Sequence, residues 1–200
     1  MTLAALAATA AAGTRTHAII YEPFASSGAP AVRVTSTIQG HCWTGSLATP
    51  RRDAWRCMNA NPPCLTGGAP CAGAASFIYD PCFSSAKAPG VVLCPAPGPW
   101  SDNALEIKLT SRLPTKFANT KSPTTTGLPW ALVTMRGWRC GLNTGATTVV
   151  DHRRANYFCT GTRDWLWGGP SRRSQPWLIY AAPLSARRLH TRVGVRTAWF

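Results

Sequence analysis

Six of the chain's eight cysteines fall between Cys42 and Cys94, and the other two are Cys140 and Cys159. An even, high cysteine count favours paired cystines in an oxidising compartment. Spacing excludes a zinc site, because no C-x-x-C occurs and His41 directly precedes Cys42 with no partner pair at finger distance. Connectivity does not follow from spacing alone. A locality argument pairs Cys64 with Cys71, which share one Pro/Gly-rich insertion, 59–74. The six others then pair in sequence: Cys42 with Cys57, Cys82 with Cys94, Cys140 with Cys159. With every cysteine able to pair, a nucleophilic thiolate at Cys42 beside His41, His152 or His190 is disfavoured.

Two hundred residues at 45% hydrophobic composition support a core, so the cystines supplement burial rather than replace it. The chain predicts an all-β domain, an antiparallel sandwich or barrel, stapled by three or four disulfides. Short apolar or alternating runs recur between turn signals: 31–38, 77–79, 91–94, 105–109, 129–134, 147–150 and 156–159. The longest alternation is at the end. Leu189, Thr191, Val193, Val195, Thr197 and Trp199 fall on one side, His190, Arg192, Gly194 and Arg196 on the other.

Leu3 to Ala12 is a short apolar run ending in small residues, which predicts a signal peptide over 1–18, without a basic n-region. Residues 19–31 read as a linker and 32–200 as a single β domain. No stretch approaches the length of a membrane span. Together these place the protein outside the cytoplasm, secreted or at the cell envelope, as a monomer.

The net charge is +14, from 21 Lys and Arg against 7 Asp and Glu. Such an excess suits a polyanion, but Arg-rich, Ala-, Gly- and Pro-rich composition gives the same excess without one. The basic residues are scattered, so no specific nucleic-acid partner is expected. The candidate binding residues are Trp165 and Trp167, an indole pair that a Gly168-Gly169-Pro170 loop would present to a sugar, with Arg172, Arg173, Arg192 and Arg196. Most of the nine tryptophans are read as core.

Seven carboxylates leave little material for acid–base chemistry. Asp53, Asp80 and Asp102 adjoin turn residues, where Asp caps its own backbone. No nucleophile elbow, phosphate loop or H-E-x-x-H occurs, and no cofactor or metal is indicated. The reading is a non-catalytic envelope domain that binds anionic wall polymer or glycan. The alternative is an envelope hydrolase using Asp80 or Asp102.

The set Cys42-Trp43-Thr44-Gly45-Ser46, Asp53-Ala54-Trp55-Arg56-Cys57-Met58, Asp80-Pro81-Cys82-Phe83, Cys94-Pro95 and Pro99-Trp100-Ser101 resembles a family of uncharacterised secreted proteins common in actinobacteria. Leu142 to Thr147, Asn156 to Cys159, Pro176-Trp177 and Val193 to Phe200 fit it too. The resemblance covers about Gly40 to Phe200 and departs at the insertion carrying Cys64 and Cys71. It implies secretion and a cystine-bridged domain, with no established activity.

Overall fold

A computed structural model describes residues 15–59 and 78–200, and within these the chain is all-β. The expected signal-peptide core, most of the 59–74 insertion and the Cys64–Cys71 pair lie outside the described residues. The strands form two closed sheets rather than one.

The first barrel contains β2 (Arg33–Gly45), β3 (Ala54–Asn59), β4 (Ile78–Ser84), β5 (Val91–Pro95) and β6 (Asn103–Leu109). Neighbours are antiparallel, and parallel pairing of β2 with β6 closes the ring, with Ile38 opposite Ile107. The thirteen-residue β2 runs on past the expected 31–38 because it serves two neighbours: β6 first, then β3. Gly40 is the crossing point, paired with both Asn59 and Leu109. A Cβ there would lie 2.3 Å from the Met58 carbonyl oxygen and 2.8 Å from Ile107 Cγ2, so only glycine lets the three strands meet. The interior holds Trp55, Val92, Leu105, Ile107 and two cystines, Cys42–Cys57 and Cys82–Cys94.

The second barrel contains β7 (Ala131–Thr134), β8 (Arg139–Leu142), β10 (Arg153–Thr160), β11 (Trp165–Ser171), β12 (Trp177–Ala182) and β13 (Arg192–Trp199). Pairing of β13 with β7 closes it. Its core includes Leu132, Tyr157, Leu166, Ile179, Val193, Val195 and the Cys140–Cys159 cystine, whose halves face each other across β8 and β10. Tyr157 is fully buried, and its hydroxyl donates to the Pro129 carbonyl at 2.7 Å. All three described bridges are the sequential ones expected. Each joins strands that already pair, which is why a local rule finds them.

Two further strands attach to this barrel. β9 (Val149–Val150) makes a hairpin with the start of β10. β1 (His17–Ile19) adds in parallel to the end of β13. Thr16 fixes that addition: its hydroxyl donates to the Val195 carbonyl at 2.6 Å and accepts the Trp177 N–H at 2.8 Å. The structure therefore places His17 and Ala18, read as the end of a leader, in the sheet. Within the expected linker, Tyr21 is buried and Phe24 bridges Pro30.

The barrels share a core of Tyr21, Ala48, Ala54, Phe83, Trp130, Ala131, Val133 and Trp199. Tyr21, Phe83 and Trp130 form a triangle of ring contacts with centroids 5.3 to 5.9 Å apart. Among the described residues, no helix is long and apolar enough to cross a membrane.

Candidate functional site

The terminal alternation is real but shorter than expected. β13 begins at Arg192, because Leu189 belongs to a strap, residues 183–191, that folds back over the outside of the barrel. A bulge between Val195 and Thr197 then breaks the strict period, so Ala198 and Trp199 are both buried.

The strap decides the fate of the indole pair. Trp165 and Trp167 alternate with Leu166, which points into the barrel, so both tryptophans are on the outer face of β11. Gly168 to Ser171 continue that strand instead of forming a presenting loop. Trp167 is nonetheless completely buried, packed with Ala155, Ala182 and Leu189, and its indole N–H donates to the Ala182 carbonyl at 3.0 Å. It has no face left for a sugar. Trp165 is half-buried at the edge, and its ring partner is Phe158, exposed on β10 with centroids 5.4 Å apart.

A two-residue turn holds the strap. Val150 pairs with Arg153, leaving Asp151 (φ 47°) and His152 (φ 59°) as the central residues of a type I′ hairpin. Asp151 is a residue such turns favour at the first position, whereas His152 stands where glycine is usual. The turn aims the Asp151 carboxylate at the strap, where Oδ2 accepts the Leu189 N–H at 2.8 Å.

Beside the strap lies a pocket of about 460 Å³ lined by Arg153, Gly169, Ser171, Arg173, Ser174, Leu178, Tyr180 and Arg192. Tyr180 and Arg192 are direct cross-strand partners on β12 and β13, so their side chains emerge together. The Arg192 guanidinium stacks 4.4 Å from the Tyr180 ring centroid and donates to its hydroxyl. Arg153 reaches the same ring, 4.6 Å from its centroid, although β11 intervenes. It passes over Gly168, whose φ of 69° favours glycine, with Arg153 Cγ and Cδ 3.4 Å from where a Cβ would be, an ordinary packing distance. One Arg153 nitrogen is fixed by the Asp151 carbonyl at 3.0 Å. The hydrogen bond from Arg192 is the main reason the Tyr180 hydroxyl is more acidic than an ordinary phenol. No carboxylate lines this pocket.

Of the six binding residues read from the sequence, the pocket gathers Arg173 and Arg192. Arg172 is turned elsewhere; it donates to the Gly127 carbonyl at 2.6 Å and stacks over Trp177 and Phe200. Arg196 is exposed in the bulged part of β13 and does not line the pocket. Arg153, Tyr180 and Phe158 were missed. Their relation to the others exists only through strand register, which period-two alternation does not reveal.

Asp80 lies in a second, smaller cleft of about 230 Å³, walled by Pro81, Pro95, Pro97, Pro99, Trp100 and Trp130 where the barrels meet. Burial holds its carboxyl above the usual carboxylate range, against the lowering effects of Ser46, Leu47 and Arg56. Its oxygens are already engaged. Ser46 Oγ donates to Oδ1, the Leu47 N–H donates to Oδ2 at 3.1 Å, and Arg56 lies 3.6 Å from Oδ2. Ser46 Oγ in turn accepts the N–H groups of Ala48 and Thr49. This network ties the turn after β2 to β4. Glycoside hydrolysis needs a second carboxylate across the bond, and no other Asp or Glu lines this cleft. Asp102 is exposed on a bend outside it.

No family model, curated protein or solved structure matches this chain.

Proposed function

We propose that this chain is a secreted, non-catalytic domain of the cell envelope that binds an anionic wall polymer or glycan through the outer face of its second barrel. The observation that carries the reading is the convergence of Arg153, Arg173 and Arg192 on one pocket whose lining holds no acid. Arg153 and Arg192 share the Tyr180 ring and Arg173 lines the same pocket, an arrangement that suits a partner carrying negative charge.

No acid side chain lines the pocket itself. Among the described residues two ion pairs occur, Arg51 with Asp53 and Arg56 with Asp80, both near the junction of the barrels. Asp151, beside Arg153 in sequence, accepts the Leu189 N–H outside the lining, and its charge is felt at Tyr180. The half-buried Trp165 and the exposed Phe158, on the same outer face, supply apolar contact for a sugar ring beyond the charged pocket.

The test is co-sedimentation of oxidised protein with purified wall fractions at low and raised salt. Retention at low salt that is lost as screening rises is the expected outcome. Failure to sediment at low salt sinks the reading.

A further inference from the structure

Resting on that reading, the identity of the anionic group follows from the shape of the pocket. Its donors come from three separate places in the chain. Arg192 projects from β13, Arg153 crosses over β11 at Gly168, and Arg173 comes from the turn between β11 and β12. The Tyr180 hydroxyl accepts from Arg192, so its own proton is left to donate. A planar carboxylate offers two oxygens in one plane and is satisfied by a single guanidinium fork. A tetrahedral oxyanion presents oxygens in several directions and can accept from donors that do not share a plane.

We propose that the pocket formed by Arg153, Arg173, Arg192 and Tyr180 takes one tetrahedral phosphoryl group of a polyol-phosphate wall polymer in preference to a carboxylate. Within the pocket, the aromatic ring gives no support to a nucleic acid instead. Binding of single strands uses aromatic faces on which bases stack, and the Tyr180 ring is occupied by two guanidiniums at 4.4 and 4.6 Å.

Phosphocellulose and carboxymethylcellulose of matched charge density present the two anions on one backbone, and a salt gradient compares them. Later elution from phosphocellulose is expected. Arg192→Gln and Arg173→Gln should each weaken retention on phosphocellulose roughly tenfold, the scale of one charge-assisted contact. The charge-matched control Arg33→Gln, exposed on the first barrel, should shift elution equally on both matrices. Tyr180→Phe should reduce the preference while leaving net charge unchanged. Circular dichroism and melting temperature confirm that each variant is folded.

Equal retention on both matrices overturns the phosphoryl assignment and leaves polyanion binding standing. Retention on neither overturns both. A soluble glycerol-phosphate oligomer should compete with the phosphocellulose. A single-stranded oligonucleotide that competes equally well at matched phosphate concentration would overturn the choice of polymer.

Discussion

The Arg51 guanidinium meets the main-chain oxygen of Phe200 at 2.9 Å, although 149 residues separate them. The same nitrogen donates to the Tyr21 carbonyl at 2.7 Å, while Nε and the other terminal nitrogen fork onto Asp53 at 3.0 and 2.6 Å. The guanidinium plane also lies 4.6 Å from the Phe83 ring centroid. One buried side chain thus joins the turn before β3, the segment after β1 and the end of β13. Replacing it strands two main-chain acceptors and a carboxylate. Arg51→Met is expected to cost about 2–4 kcal/mol in chemical denaturation. Arg51→Lys should recover only part of this, since one ammonium cannot reproduce the fork.

The Cys140–Cys159 bridge closes a loop of 19 residues. Replacing both residues with alanine should lower stability by about 3 kcal/mol in urea titration under non-reducing conditions. A non-reducing peptide map should return Cys42–Cys57, Cys82–Cys94 and Cys140–Cys159, with Cys64 bridged to Cys71. A free thiol at any of the six described positions contradicts the structure.

Asp151 and His152 offer opposite outcomes from adjacent residues. Glycine adopts positive φ without steric cost, so His152→Gly should raise stability by about 0.5–1 kcal/mol, net of the entropy gained by the unfolded chain. Asp151→Ala removes the acceptor for Leu189, so the strap, which carries Arg187 and Arg188, should be cut faster by trypsin. Asp151→Asn keeps an acceptor oxygen and should leave the cleavage rate near that of the parent. Equal rates for all three proteins would show that this hydrogen bond does not hold the strap.

Asp80 carries a pH signature with a definite sign. Its folded carboxyl binds a proton more readily than the ordinary carboxylate value of 3.8, because burial disfavours the charge. Where the folded state binds more protons than the unfolded one, stability falls as pH rises. Relative to Asp80→Asn, the parent should therefore be favoured most below that value. It should lose ground as pH climbs through the folded midpoint. Paired urea midpoints across the acid range measure the difference; a difference of opposite slope would contradict the burial argument.

Much of the fold was legible because the relevant signals are local. Leu105, Ile107 and Leu109 declare β6 by alternation, and the cystines follow from neighbouring cysteines on paired strands. What could not be read depends on distant register. Nothing local shows that β2 must pair with both β3 and β6, which closes the first barrel and separates it from the second. Trp177 to Ala182 forms a strand, β12, although a nearly continuous apolar run gives no period of two to find. The Gly168-Gly169-Pro170 run beside Trp167 suggests exposure, but Leu189, 22 positions later, covers it. Arg153 and Tyr180 meet across β11, passing over Gly168, and that meeting exists only through strand register. Part of the candidate site, Arg173 and Arg192, was visible as exposed basic residues; its concavity was not.

The three described cystines all join neighbours within a single barrel. As a covalent graph, those bridges close two loops in the first barrel and one in the second, and the barrels are joined only by the stretch of chain between β6 and β7. A protease cut in that stretch would leave none of the three holding the pieces together. Yet the larger piece would keep β1, whose place is beside β13 of the other, and Arg51, whose hydrogen bond ends on Phe200. The cut protein should thus migrate as two bands after denaturation without reductant, and as one particle in native buffer. The strand that begins the described chain is a clasp between fragments.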